Sequence, residues 1–157
     1  MTTPPVQAAP TRLVAERLGV DGLRAAYPLI RQVQPGVDLR AWVRFARRLA
    51  RPGGGEASGI VAVRYARRPF PSGLFCYRRE RDLSRGRVLT AEHLVALDLL
   101  DPETVLAALL HEIDTLGARL GCGAARVVVP PGPLTALLRR RAEDQNEAAV
   151  FLRPLRL

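Results

Sequence analysis

The chain contains no lysine. All 24 of its basic residues are arginines, set against 15 acidic residues, and the formal charge is +9. A lysine Schiff base and a lysine general base are therefore both excluded. Cysteine is nearly as scarce. Cys76 and Cys122 are too few for a disulfide framework or a cysteine-built metal site, and we read them as two reduced thiols. His93 and His111 are the only histidines, and His111 has no second histidine on its own helix, so no metal is expected. Aromatic residues make up 5% of the chain, which leaves aliphatic side chains and alanine to fill the core. No apolar run approaches the ~18–20 residues of a membrane helix. The opening MTTPPVQAAPT has neither the charged start nor the apolar centre of a signal peptide. We read residues 1–10 as a flexible tail, residues 11–157 as a single domain, and the location as cytoplasmic.

The arginines are scattered along the chain. Short clusters occur at Arg47-Arg48, Arg67-Arg68, Arg78-Arg79 and Arg139-Arg140-Arg141. None is interleaved with stacking aromatics at the spacing that single-stranded nucleic acid requires. With lysine absent throughout, the pattern reads as a composition bias, and nucleic acid is not expected as a partner. The hydrophobic content of 48% supports a real core. A chain of this length buries about 70% of its unfolded-state surface.

The most informative stretch runs from Arg87 to Pro130. A β-prone run over Val88 to Leu100 leads into Leu100-Asp101-Pro102-Glu103, then into a long amphipathic segment, a Gly-Cys-Gly stop and a short valine run. This reads as a βαβ unit. Asp101 can cap the helix, and Pro102 suits its first position because an N–H there has no helical partner. Val105, Leu106, Leu109, Leu110, Ile113, Leu116 and Leu120 fall on one helical face. Gly121 can end the helix in a left-handed conformation. The two flanking strands are expected to be parallel.

Elsewhere, Thr11–Leu18 reads as a first strand. A helix over Asp21–Val33 contains Pro28, which should kink or divide it. Asp38 should cap a second helix reaching about Ala50. Gly59–Ala66 and Leu74–Arg81 read as an antiparallel pair. A last helix is expected over Leu134–Asp144, and a final strand over Ala148–Leu155, where Pro154 suits an edge. Pairing of that edge would give a homodimer. The predicted order is β-α-α-β-β-β-α-β-α-β: an α/β chain of the α+β kind, with a central mixed sheet and helices on both faces. There is no Walker loop, no Gly-x-Ser-x-Gly elbow and no Ser/His/Asp set.

This order, with Gly59-Ile60-Val61-Ala62, Leu74-Phe75-Cys76-Tyr77, Leu94-Val95 and Ala108-Leu109-Leu110 through Leu120-Gly121-Cys122, resembles the GNAT superfamily of acyl-CoA-dependent N-acetyltransferases. The resemblance spans Thr11 to Leu155 and rests on element order and hydrophobic spacing. It implies direct transfer of an acetyl or acyl group from acetyl-CoA to an unidentified small-molecule or peptide amine. Backbone groups of Leu94, Val95, Ala96 and Leu97 would hold the pantetheine arm. In the family, an R/Q-x-x-G-x-G/A loop at the next helix start cradles the pyrophosphate, because orphan N–H donors and the helix dipole attract an anion. Here that signature falls on Asp101-Pro102-Glu103-Thr104-Val105-Leu106, so Thr104, Val105 and Leu106 are the matching positions. Neither glycine nor arginine is present there. Glu92 and His93 match the region where the family often carries an acidic group, and either could accept a proton from an amine. The tyrosine that often serves the family as acid is absent from Leu134–Asp144. Two functions follow from the resemblance: an N-acetyltransferase, and a GNAT-like binding or interaction module that has lost the phosphate loop and catalyses nothing.

Overall fold

The computed structural model describes residues 12–51, 55–99 and 101–141. The predicted tail, the predicted strand over Ala148–Leu155 and its role in a homodimer lie outside the described residues.

Five strands form one sheet in the order β1-β2-β3-β4-β5: β1 (Leu13–Arg17), β2 (Ser58–Tyr65), β3 (Gly73–Asp82), β4 (Gly86–Ala96) and β5 (Ala124–Val127). The first four pair antiparallel, and β5 runs parallel to β4. The predicted strand over Val88 to Leu100 starts two residues earlier, at Gly86, and stops at Ala96. The strand predicted at the valine run forms just before it, with only Val127 of that run inside β5.

Helices α1 (Leu23–Val33) and α2 (Leu39–Leu49) cover one face, and α3 (Pro102–Arg119) and α4 (Pro133–Arg141) cover the other. The pleat sorts the side chains by parity. Ile60 and Ala62 of β2 join the α1–α2 cluster, while Val61 and Val63 join the α3 cluster. Because helices cover both faces, β2 is apolar at successive positions instead of alternating.

A short 3₁₀ turn at Val20–Gly22 precedes α1, which continues through Pro28 undivided. Pro28 and Arg24, one turn earlier, are both exposed, so water can satisfy the carbonyl that the proline leaves without a donor. The Trp42 indole N–H donates to the Leu23 carbonyl at 2.7 Å and locks α2 onto α1. Asp38 caps α2 through the Ala41 N–H at 2.7 Å, as the sequence predicts. Gly121 ends the α3 region at φ +67°.

Gly73 permits the closest packing between sheet and helix. A Cβ there would lie 2.8 Å from Val105 Cγ1 and 2.8 Å from the Val95 carbonyl oxygen. Among the described residues, no helix is long and apolar enough to cross a membrane.

Candidate active site at the open end of the sheet

Strands β4 and β5 are tied at one end and part at the other. At the tied end, Arg126 of β5 reaches across β4 to Asp82 at 2.9 Å and Glu80 at 3.5 Å, and the Thr90 hydroxyl donates to Glu80 at 2.6 Å. Paired register ends at Ala91 opposite Val127, and the Val128 N–H then bonds the Ala91 carbonyl at 2.8 Å. Beyond that point β5 gives way to Pro130-Pro131, while β4 runs on to Ala96. Leu97 donates its N–H to the Ser72 carbonyl on the β3 side at 2.8 Å. Strand alternation then turns the backbone groups of Ala96 and Leu94 toward the opposite, opening side. An extended acyl-pantetheine arm suits that edge, since strand backbone can bond it as it would a further strand.

At the same point β4 contains a bulge. Cys76 of β3 pairs with Glu92 but Leu74 pairs with Val95, so two residues of β4 oppose Phe75. The side chains record the shift. Leu89 and Ala91 face α3, and after the bulge the even-numbered Leu94 takes that face, while Val95 turns to α1 and α2. His93 carries the distortion at φ +53°, the one non-glycine residue with positive φ among the described residues. Such a conformation costs roughly 1–3 kcal/mol and persists only where the surroundings hold it.

The surroundings do hold His93. Its Nδ1 lies 2.9 Å from Gln34 Nε2, and its ring meets Phe45 edge-on with centroids 5.2 Å apart. Burial holds the imidazole below its ordinary pKa; the Glu92 carboxylate opposes that shift and the Arg78 guanidinium adds to it. At neutral pH the ring is therefore an uncharged acceptor. Which nitrogen is free depends on the Gln34 amide. If its NH₂ faces Nδ1, the ring proton sits on Nε2; if its carbonyl does, Nε2 carries the lone pair. Glu92 is engaged with Arg78 at 3.0 Å. Glu92 and His93 are both half-buried.

The other predicted positions lie at the α3 start. Asp101 accepts the Thr104 N–H at 3.0 Å, and the Thr104 hydroxyl bonds the second carboxylate oxygen. Those bonds from Thr104 hold the Asp101 carboxyl below the usual carboxylate range. Glu103 pairs with Arg140 of α4 at 3.3 Å. Val105 and Leu106 are fully buried, with their side chains in the α3 core. A pyrophosphate at this helix end would meet two carboxylates, a Thr104 N–H already in use and a proline with no N–H to offer. The helix start does not fit that part of CoA. Leu94 and Val95 are buried, Ala96 is half-buried and Leu97 is exposed.

Residues that sequence reasoning missed are Gln34, Phe45 and Arg78. Gln34 lies 59 residues from His93, and nothing local marks the contact. The bulge left a trace: Glu92-His93 breaks the alternation of Leu89 and Ala91, and the apolar pattern resumes at Leu94 with its parity changed. Tyr65 also lies beside this end. Its phenol bonds the Asp98 carboxylate, which raises its pKa, and Arg68 stacks over its ring at 5.0 Å. Tyr27 ties α1 to the next loop through the Val37 carbonyl at 2.9 Å. His111 is exposed on α3. Cys76 is buried, and desolvation pushes its thiol up to about 12, so it is inert at neutral pH.

No family model matches the sequence, and no curated protein matches it. Solved structures do match. Aminoglycoside N-acetyltransferase AAC(6′)-Iy in complex with CoA superposes with a TM-score of 0.75 at 14% identity, over 95% of this chain and 98% of that one. Glucosamine-6-phosphate N-acetyltransferase from Arabidopsis thaliana gives 0.71 at 11% identity, over 92% and 99%. Ribosomal-protein-alanine N-acetyltransferase from Brucella melitensis biovar Abortus 2308 gives 0.69 at 13%, over 90% and 99%. The chain has the GNAT fold, a five-stranded mixed sheet with helices on both faces.

Proposed function

We propose that this protein is a GNAT-type N-acetyltransferase that takes an acetyl or acyl group from acetyl-CoA and transfers it to an amine, holding the donor by its pantetheine arm instead of its pyrophosphate. The observation that carries this reading is the bulge at His93, which sets a half-buried, uncharged imidazole where β4 leaves β5. Within the β4 stretch from Leu94 to Leu97, the backbone groups of Leu94 and Ala96 bond the pantetheine amides. The amine nitrogen attacks the thioester carbonyl, a C–N bond forms and the C–S bond breaks. With the Gln34 amide turned so that its carbonyl accepts the Nδ1 proton, His93 Nε2 carries the lone pair, takes the amine proton and returns it to the departing thiolate; Gln34 thereby selects the tautomer. Glu92, bonded to Arg78, is the weaker candidate for base. Fold analogy supplies the reaction class and leaves the acceptor open.

A second reading has its own support in the Asp101–Thr104 cap: a GNAT-like module that uses the fold for binding and has no turnover. A thermal-unfolding titration separates the two. A ligand at about 100 times its dissociation constant stabilises by roughly 2.7 kcal/mol. A saturable upward shift with acetyl-CoA, followed by amine-dependent release of CoA thiol in an acceptor screen, is the expected result. No shift at millimolar acetyl-CoA would leave the binding module as the reading.

A further inference from the structure

The opposite end of the sheet carries a feature that acyl transfer does not use. A cleft of about 590 Å³ lies between the start of β4, the end of α3 and the turn before β2, with Arg79, Arg87 and Arg119 on its walls. Glu56 is the one carboxylate lining it, 3.7 Å from Arg119. Arg79 and Arg87 have no ion pair among the described residues. A second cleft, of about 480 Å³, shares Gly55 and Glu56 with the first and adds Arg17 and Arg51.

Beneath both lies a buried phenol. Tyr77 is 1% exposed, and its hydroxyl has no hydrogen-bond partner among the described residues. A Cβ on Gly59 would stand 2.9 Å from both Tyr77 Oη and Arg17 Nε, so phenol and guanidinium meet over that glycine. Burial raises the Tyr77 pKa, and the charges of Arg17, Arg119 and Glu56 all reach it. A buried hydroxyl without a partner is uncommon in a folded chain and calls for an explanation.

We propose that these clefts form a binding site for a small polyphosphate anion, separate from the acyl-transfer site. The volume suits a small molecule. Arginine guanidinium groups grip phosphate oxygens in pairs, and several of them facing one carboxylate leave a net positive well. Arg17 Nη2 donates to the Gly55 and Ser58 carbonyls at 2.9 and 2.8 Å, which fixes its charge at the second cleft with the Tyr77 hydroxyl behind it. From Arg87 to Ala96, β4 spans roughly 30 Å at strand rise, so the anion would not touch the donor at the open end.

The test is titration of the full chain with inorganic tripolyphosphate, followed by calorimetry and by thermal shift. The wild type should bind saturably. The R87A/R119A double variant should lose about tenfold or more in affinity, and Y77F should lose less. R44A/R48A, which removes two exposed α2 arginines and the same charge, should change affinity by less than about twofold. E56Q should bind more tightly. Absence of saturable binding, or equal loss in R87A/R119A and R44A/R48A, would overturn the proposal. So would a single-stranded oligonucleotide that binds through the same arginines without being displaced by tripolyphosphate, since that marks a nucleic-acid surface. The titration requires no acetyl-CoA, so a protein that fails to bind acetyl-CoA can still pass it.

Discussion

The two ends of β4 differ in what they do with charge and with the sheet. At the Gly86 end, β5 is clamped by Arg126 to Glu80 and Asp82, and Arg79, Arg87 and Arg119 gather at the α3 C-terminus. A helix end with exposed carbonyls favours Arg119 there. At the Ala96 end, β5 has departed, the backbone of β4 is turned to the opening, and the α3 N-terminus is closed by Asp101 and flanked by Glu103. In a GNAT fold the second end is where an anion is expected. In this chain the donors of that end are occupied and the cations stand at the other. Fold fixes where a helix starts; the capping residues decide whether that start remains open to a phosphate.

Changing His93 tests the open end most severely. His93→Ala should lower the rate constant for acyl transfer by about 10²–10⁴, the range for loss of a positioned general base, with tripolyphosphate binding at the far end unchanged. Steady-state kinetics set beside that titration would show it. A matching loss at both ends would mean that the variant acts through the fold. Gln34→Ala should shift the pH profile and lower the rate less, because Gln34 positions the ring without touching the substrate.

Core truncation should ignore the difference between the ends. Leu109 is fully buried in the α3 cluster, and Leu109→Ala should cost about 2–5 kcal/mol by denaturant unfolding. Ligand binding at both ends should fall only as the folded fraction falls.

Asp101→Ala removes the cap and should cost about 1 kcal/mol. Replacing Asp101-Pro102-Glu103 by Arg-Gly-Gln should instead strengthen acetyl-CoA binding, because it supplies N–H donors and removes two carboxylates. Unchanged or weaker binding by a folded variant would mean that the helix start is not the phosphate position. The smallest effect belongs to the Arg78–Glu92 pair, which is partly exposed. Arg78→Met should change stability by less than about 1 kcal/mol.

Acidification should act through His93. Its folded-state pKa lies below the ordinary 6.5, so the unfolded chain binds its proton more readily. The contribution to stability is fully present above about 6.5 and is lost as pH falls from there through the folded value. The transfer rate should fall over the same window as the base becomes protonated. A rate that rises on acidification would contradict the assignment.

Much of the fold was legible because it depends on local rules. The α3 stripe, the Asp101 and Asp38 caps, the Gly121 stop and the antiparallel β2–β3 pair all follow from spacing and residue type within a few positions. The bulge was half legible, since Glu92-His93 interrupts an alternation but does not say which residue takes the positive φ. The setting of His93 was not legible: Gln34 and Phe45 reach it only once α1 and α2 have packed across β4. The arginine-lined clefts were equally hidden, because Arg79, Arg87 and Arg119 come from two strands and a helix end. As a sequence those residues look scattered.

On the proposed reading, the acyl donor is held by its pantetheine arm on β4 and owes little to the start of α3. The most direct measurement is a calorimetric comparison of acetyl-CoA with S-acetyl-pantetheine, which lacks the pyrophosphate and the nucleotide. The two affinities should lie within about tenfold of each other, a difference of no more than roughly 1.4 kcal/mol. A truncated donor that binds a hundredfold more weakly, or about 2.7 kcal/mol worse, would contradict it and place a working phosphate grip at the α3 N-terminus.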